Sequence, residues 1–257
     1  MKVIAPLSLV TMFSCLPILS HAADLGPVRQ APAAIKTDKA YNLQVDAGYL
    51  LNETKSSDGS STSKQNLNGA LLFQRMSGVW GQELRAETVN TSDDSSDNNI
   101  ERYLLAGKLS HHQSATTYQF AKLQWEKDLS SSFDYQTSLT GGLGYDFIET
   151  EQQSLSGELG AGYRNSKDRG QPKQDHHEAI GTAALFYERA ITPSLKFQQD
   201  LGYEYGEEAG IFRSKTALSA AINSHFAAQA GYQLKQVNAT QGNSRDSFVS
   251  LGLKYTH

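Results

Sequence analysis

The sequence predicts an all-β protein, a transmembrane antiparallel up-and-down β-barrel of about twelve strands. Three observations carry that expectation: strand segments too long for a soluble sheet, turns that alternate between short and long, and an export leader paired with a strand at the far C-terminus. The first is clearest between Phe133 and Arg164. Phe133, Tyr135, Thr137, Leu139, Gly141, Leu143, Tyr145 and Phe147 fall on one face of an extended chain, opposite Asp134, Gln136, Ser138, Thr140, Gly142, Gly144 and Asp146. After the polar turn IETEQQ the alternation resumes, with Leu155, Gly157, Leu159, Ala161 and Tyr163 against Ser154, Ser156, Glu158, Gly160, Gly162 and Arg164. A soluble strand usually ends after about five or six residues, whereas a tilted strand crossing a bilayer needs roughly nine to eleven.

The N-terminus supplies the leader. Lys2 precedes an almost wholly apolar run from Val3 to Leu19, and Ser20-His21-Ala22 fits the small-x-small rule for cleavage before Ala23. Residues 1–22 are therefore expected to be a removed signal peptide, residues 23–39 a flexible periplasmic lead-in, and residues 40–257 the barrel. Cys15 is the one cysteine in 257 residues, so the mature chain would hold no disulfide. The formal net charge of -4 and the lack of a basic run argue against nucleic acid as a partner. No internal run of eighteen apolar residues is present, so no mature helix is expected to span.

The strands follow in order. The first sets Tyr41, Leu43, Val45, Ala47 and Tyr49 against Asn42, Gln44, Asp46 and Gly48, and the second runs near Asn66 to Gln74. The third turns Leu84, Ala86 and Thr88 outward and Glu83, Arg85 and Glu87 inward; the fourth, Glu101 to Ser110, turns Arg102 and Lys108 inward. In the fifth, Tyr118 to Glu126, the apolar positions change phase between Phe120 and Leu123, and a bulge near Ala121 would bring Tyr118, Phe120 and Trp125 to one face. The sixth and seventh form the hairpin above. The eighth, about Glu178 to Glu188, has too many small residues for its faces to be told apart. The ninth directs Lys196, Asp200 and Glu204 inward, the tenth Arg213 and Lys215, the eleventh Lys235. The last sets Val249, Leu251, Leu253 and Tyr255 outward, the pattern that barrel-assembly machinery reads, although His257 stands where an aromatic residue is usual.

Several of these segments resemble a known family. Glu101-Arg102-Tyr103, Asp128, Gly142-x-Gly144-Tyr145, Leu155, Gly160-x-Gly162-Tyr163 and Leu251-Gly252-Leu253-x-Tyr255 are similar to the salt-induced outer-membrane proteins that carry domain of unknown function 481. The resemblance spans about residues 41 to 257. It is strongest from 101 to 164 and weaker in the first hairpin, where the family's Gly-Asn-Thr turn is replaced by Leu51-Asn52-Glu53-Thr54. It implies an outer-membrane barrel of uncharacterised function associated with salt or envelope stress, and it brings no catalytic residues.

The expected lumen holds acids (Glu83, Glu87, Asp134, Asp146, Glu158, Asp200, Glu204) and bases (Arg85, Arg102, Lys108, Arg164, Lys196, Arg213, Lys215, Lys235) in near balance. A selective pore would show an excess of one sign, while a balanced set in a narrow lumen favours mutual pairing. Three readings follow: a barrel filled by ion pairs with a structural or envelope-adaptive role, a narrow weakly selective pore, and a hydrolase with an acid-histidine site at the rim. The rim candidates are Asp175, His176, His177 and Glu178. No cofactor is expected. The candidate metal ligands are His176 and His177, adjacent residues that a strand sends to opposite faces. The expected partners are outer-membrane lipid, lipopolysaccharide and the assembly machinery, with the chain a monomer. On the outer face Leu143→Arg is expected to cost stability, while Ser138→Arg, facing the lumen, is expected to be better tolerated.

Overall fold

The computed structural model describes residues 41–55, 61–93, 100–128, 133–169, 174–240 and 242–256. The expected signal peptide, the lead-in and His257 lie outside them. Twelve strands run in chain order: β1 (Asn42–Lys55), β2 (Ser61–Ser77), β3 (Trp80–Asp93), β4 (Ile100–His112), β5 (Thr117–Asp128), β6 (Phe133–Glu149), β7 (Gln153–Asp168), β8 (Asp175–Thr192), β9 (Leu195–Gly206), β10 (Ala209–Ala221), β11 (Phe226–Ala239) and β12 (Gly242–Thr256). Each pairs antiparallel with the next, and β12 returns to β1 to close the barrel. Closure joins the first and last strands, the condition for a sheet to stand in hydrocarbon, although this seam is the shortest in the barrel.

Two ends can be distinguished. The terminal end carries both chain ends and five tight turns; at the first of these Gly78 adopts φ 61°, a conformation that a side chain disfavours. The opposite end, here the loop end, carries the connections from β1 to β2, β3 to β4, β5 to β6 and β7 to β8. The outer wall is apolar where it faces outward at mid-height: Leu143 is 62% exposed and Leu159 70%. Aromatic residues border this band. Phe226 packs on Tyr255 at 5.3 Å and Tyr145 on Phe147 at 5.1 Å near the terminal end, while Tyr49, Tyr163 and Tyr205 are exposed toward the loop end. So broad an apolar exterior has no counterpart in a water-soluble monomer.

The glycines of β6 and β7 have a steric reason. A Cβ at Gly142 would collide with the Leu159 carbonyl, and one at Gly162 with the Leu139 carbonyl. The two backbones curl so tightly on the inner side that only glycine fits. These inward glycines therefore permit curvature rather than leave room for solute.

The structure corrects the reading of β5. Its ladders to β4 and β6 run without a register shift. No bulge occurs at Ala121, and strict alternation turns Tyr118, Phe120, Lys122, Gln124, Glu126 and Asp128 inward, leaving Trp125 outside. Tyr118 is 1% exposed and Phe120 7%. The bulges lie elsewhere, at Asp134 and Phe147 in β6 and at Ile191 in β8. The first of them reverses the phase of Phe133, which was expected on the outer face and is instead buried inside.

Candidate functional site

Among the described residues polar chemistry converges in the lumen, and alternation along each strand decides what enters it. Some inward charges meet their partner across one ladder step. Arg102 on β4 and Asp128 on β5 are register partners, with Nε 2.9 Å from Oδ2; Arg164 on β7 and Glu178 on β8 are another pair, with Nη2 2.7 Å from Oε1. Others reach across the barrel. Glu126 on β5 accepts from Lys235 Nζ on β11 at 2.6 Å and from Arg213 Nη2 on β10 at 2.9 Å, and β10 and β11 stand on the opposite wall. Arg213 Nη1 also donates to Glu204 on β9 at 2.7 Å, and Arg164 Nη1 reaches the same carboxylate at 3.4 Å.

The result is one continuous lattice of four carboxylates (Glu126, Asp128, Glu178, Glu204) and four cations (Arg102, Arg164, Arg213, Lys235). Its members lie in the loop half of the lumen and span β4 to β11. Backbone groups complete it: Arg164 Nη2 donates to the Ala209 carbonyl at 2.7 Å, and the Glu208 amide donates to Glu178 at 2.8 Å. Arg102 is fully buried and Lys235 is 2% exposed, so these charges persist only because they are paired and hydrogen-bonded.

A second cluster lies toward the terminal end. Lys108 pairs with Glu158, which also accepts from the Tyr118 hydroxyl at 2.8 Å. The Lys108 ammonium stands 4.8 Å from the Phe120 ring centroid and 5.8 Å from that of Phe186, so inward aromatic faces help hold the cation. Arg85 pairs with Glu87, and Gln74 donates to Glu83 at 2.9 Å. Beside this cluster a vestibule of about 570 Å³ opens to the terminal end, with Lys196 and His225 near its mouth and Asp200 and Lys215 at its floor.

The structure buries most of the charges expected in the lumen, while three are less buried. Lys196 is exposed in the vestibule, Asp134 is the extra residue of the β6 bulge, and Asp146 is half-buried below the pairs. Four residues that shape the site were not assigned to the lumen by sequence, Glu178 among them although it was named as a rim candidate. Glu126, Tyr118 and Phe120 were hidden by the phase assumed for β5, and Glu178 by the ambiguous faces of β8.

The rim candidates divide between two faces. Asp175 and His177 point outward and are exposed, while His176 and Glu178 turn inward. His176 Nε2 lies 2.9 Å from Asp168 Oδ2, and its Nδ1 faces Glu208 Oε1 at 4.0 Å. His176 and His177 therefore do not converge on a common ion, and among the described residues no group of three or more metal-ligating side chains occurs. The hydrogen bond to Asp168 raises the His176 pKa above its ordinary 6.5. A raised value means that the contact adds stability fully below the unfolded pKa and loses it as pH climbs through the folded one. Titration of the imidazole by NMR in micelles should give a pKa above 6.5 that falls back in Asp168→Asn. A titration unmoved by that substitution would remove Asp168 as the cause.

This geometry has relatives. The solved structure of the COG4313 outer membrane channel from Pseudomonas putida F1 aligns with a TM-score of 0.51 at 12% identity, covering 89% of this chain and 99% of that one, which is a likeness of fold alone. The translocator domain of the autotransporter NalP from Neisseria meningitidis aligns with a TM-score of 0.48 at 9% identity, over 86% of this chain and 90% of that one. By sequence, the uncharacterized protein YdiY of Escherichia coli K12 is 25% identical over 241 residues, 91% of either chain. The family model described as protein of unknown function, DUF481, matches residues 45–257. With that match running from within β1 through β12, the chain belongs to the DUF481 family.

Proposed function

We propose that this protein is an outer-membrane barrel with its axis closed at rest and a structural or envelope-adaptive role, its termini in the periplasm. The observation that carries the reading is the cross-lumen lattice, in which Glu126 ties β5 to both β10 and β11. Struts of that kind resist collapse of the barrel and cross the lumen in its loop half, which supports the closed-axis reading. The chain acts without chemistry of its own. Of the two rim histidines, His176 turns inward to Asp168 and His177 outward, so they do not converge on one site, which supports this reading. Its partners are outer-membrane lipid and lipopolysaccharide, with the assembly machinery engaging β12, and it works as a monomer.

Passage of small solutes is the second reading. It is favoured by the vestibule and by the likeness to a solved channel. Planar-bilayer recording separates the two. The refolded wild type should show no sustained current steps, and Arg213→Ala, which removes a strut, should produce them. Steady steps from the wild type, with an ion selectivity that shifts in Lys235→Ala, would transfer the assignment to a pore.

A further inference from the structure

The seams of the barrel are unequal. Eleven are joined by ten to fifteen residue pairs each, whereas β1 and β12 share five, from Gln44 opposite Thr256 to Gly48 opposite Gly252. The same register would next bring Tyr49 opposite Leu251. Among the described residues it does not, although both strands continue, β1 held by β2 and β12 by β11. The outward apolar surface continues as well, with Tyr49, Leu251 and Val249 each more than half exposed. Two backbone edges thus separate at a level where the wall still faces hydrocarbon. Such edges cannot stay unsatisfied there, so something must occupy the slot between them.

A cavity of about 40 Å³ lies directly behind the slot, and Gly48 and Gly252 line it. Four side-chain oxygens among its lining residues, on Asp46, Asn68, Gln229 and Gln233, are buried without a hydrogen-bond partner among the described residues. The cavity shares Asp46, Glu87 and Lys215 with the vestibule, so the two adjoin. Acceptors gathered behind a break in the wall call for a ligand that brings donors from the lipid side.

We propose that the slot between β1 and β12 is a lateral portal, through which a single-chain amphiphile dissolved in the bilayer reaches the cavity and the vestibule. Its head carries hydrogen-bond donors, an amine or hydroxyls, that satisfy the four oxygens, and its tail lies between Tyr49 and Leu251. The inference goes beyond the closed-axis reading and does not depend on it, because the portal opens sideways through the wall whether or not the axis is closed.

Single cysteines in a Cys15→Ser chain test it. In lipid vesicles, Ser250→Cys, behind the slot, should react with N-dodecylmaleimide at least tenfold faster than Thr182→Cys on the far wall. Dodecylamine should slow that reaction and dodecanoate should not. The pair Val45→Cys with Tyr255→Cys, in the closed part of the seam, should oxidise to a disulfide, and the pair Tyr49→Cys with Leu251→Cys should stay reduced. Equal labelling of the two single cysteines, or equal oxidation of the two pairs, would overturn the portal. Equal protection by the amine and the carboxylate would overturn the assignment of the head.

Discussion

Glu126→Ala is expected to lower the stability of the folded barrel by about 3–5 kcal/mol, the usual cost of removing one side of a buried ion pair. The loss is large because this carboxylate serves three cations: Lys235 at 2.6 Å, Arg213 at 2.9 Å and Arg102 at 3.8 Å. Asp128 still faces Lys235 and Arg102, and Arg213 keeps Glu204, but the shared carboxylate that joins them is lost. Urea titration in lipid vesicles, followed by tryptophan fluorescence, measures the effect. Adding Lys235→Met to Glu126→Met should recover part of it, since an apolar pair leaves fewer charges stranded. A midpoint no different from wild type would mean that water already solvates these groups and that the lattice holds nothing together.

Leu143→Arg should cost about 2–4 kcal/mol, the penalty for a cation on the lipid face near the bilayer midplane. Leu143 lies outward between Gln119 on β5 and Leu159 on β7 and is 62% exposed. The comparison needs a benign lumen position, and Ser138 is not one. It is 5% exposed and sits opposite Arg164, so an arginine there would crowd a like charge already committed to Glu178. Ser219, which faces the open vestibule, is the better control, and Ser219→Arg should cost under about 1 kcal/mol, as surface changes do. Equal costs at Leu143 and Ser219 would show that the assignment of inner and outer faces is wrong.

The contrast between Leu143 and Ser138 shows what alternation could reveal. Where lipid-facing residues are large and lumen residues charged, as in β3, β4 and β9, polarity separates the two faces and the buried charges can be named from sequence. That rule fails where the lumen is itself a packed core. Tyr118, Phe120 and Phe186 are aromatic yet inward, set there by alternation and grouped around the Lys108 ammonium, and a reading that equates apolar with outward misplaces such residues. Carrying the alternation back from Leu123 and Trp125 without a bulge would have found Glu126 and both aromatics. The cross-barrel contacts were out of reach in principle, since nothing local tells Glu126 that its partners are Lys235 and Arg213.

Those contacts join residues 87 to 109 positions apart in the chain. Local hairpins can zip before the barrel closes, but the struts cannot form until β10 and β11 stand opposite β5. Until then eight charged side chains must remain hydrated. Closure and dehydration of the lattice therefore belong to one late step, and a chain of such high contact order is expected to insert slowly and then lock abruptly, with few partly folded barrels left in the membrane.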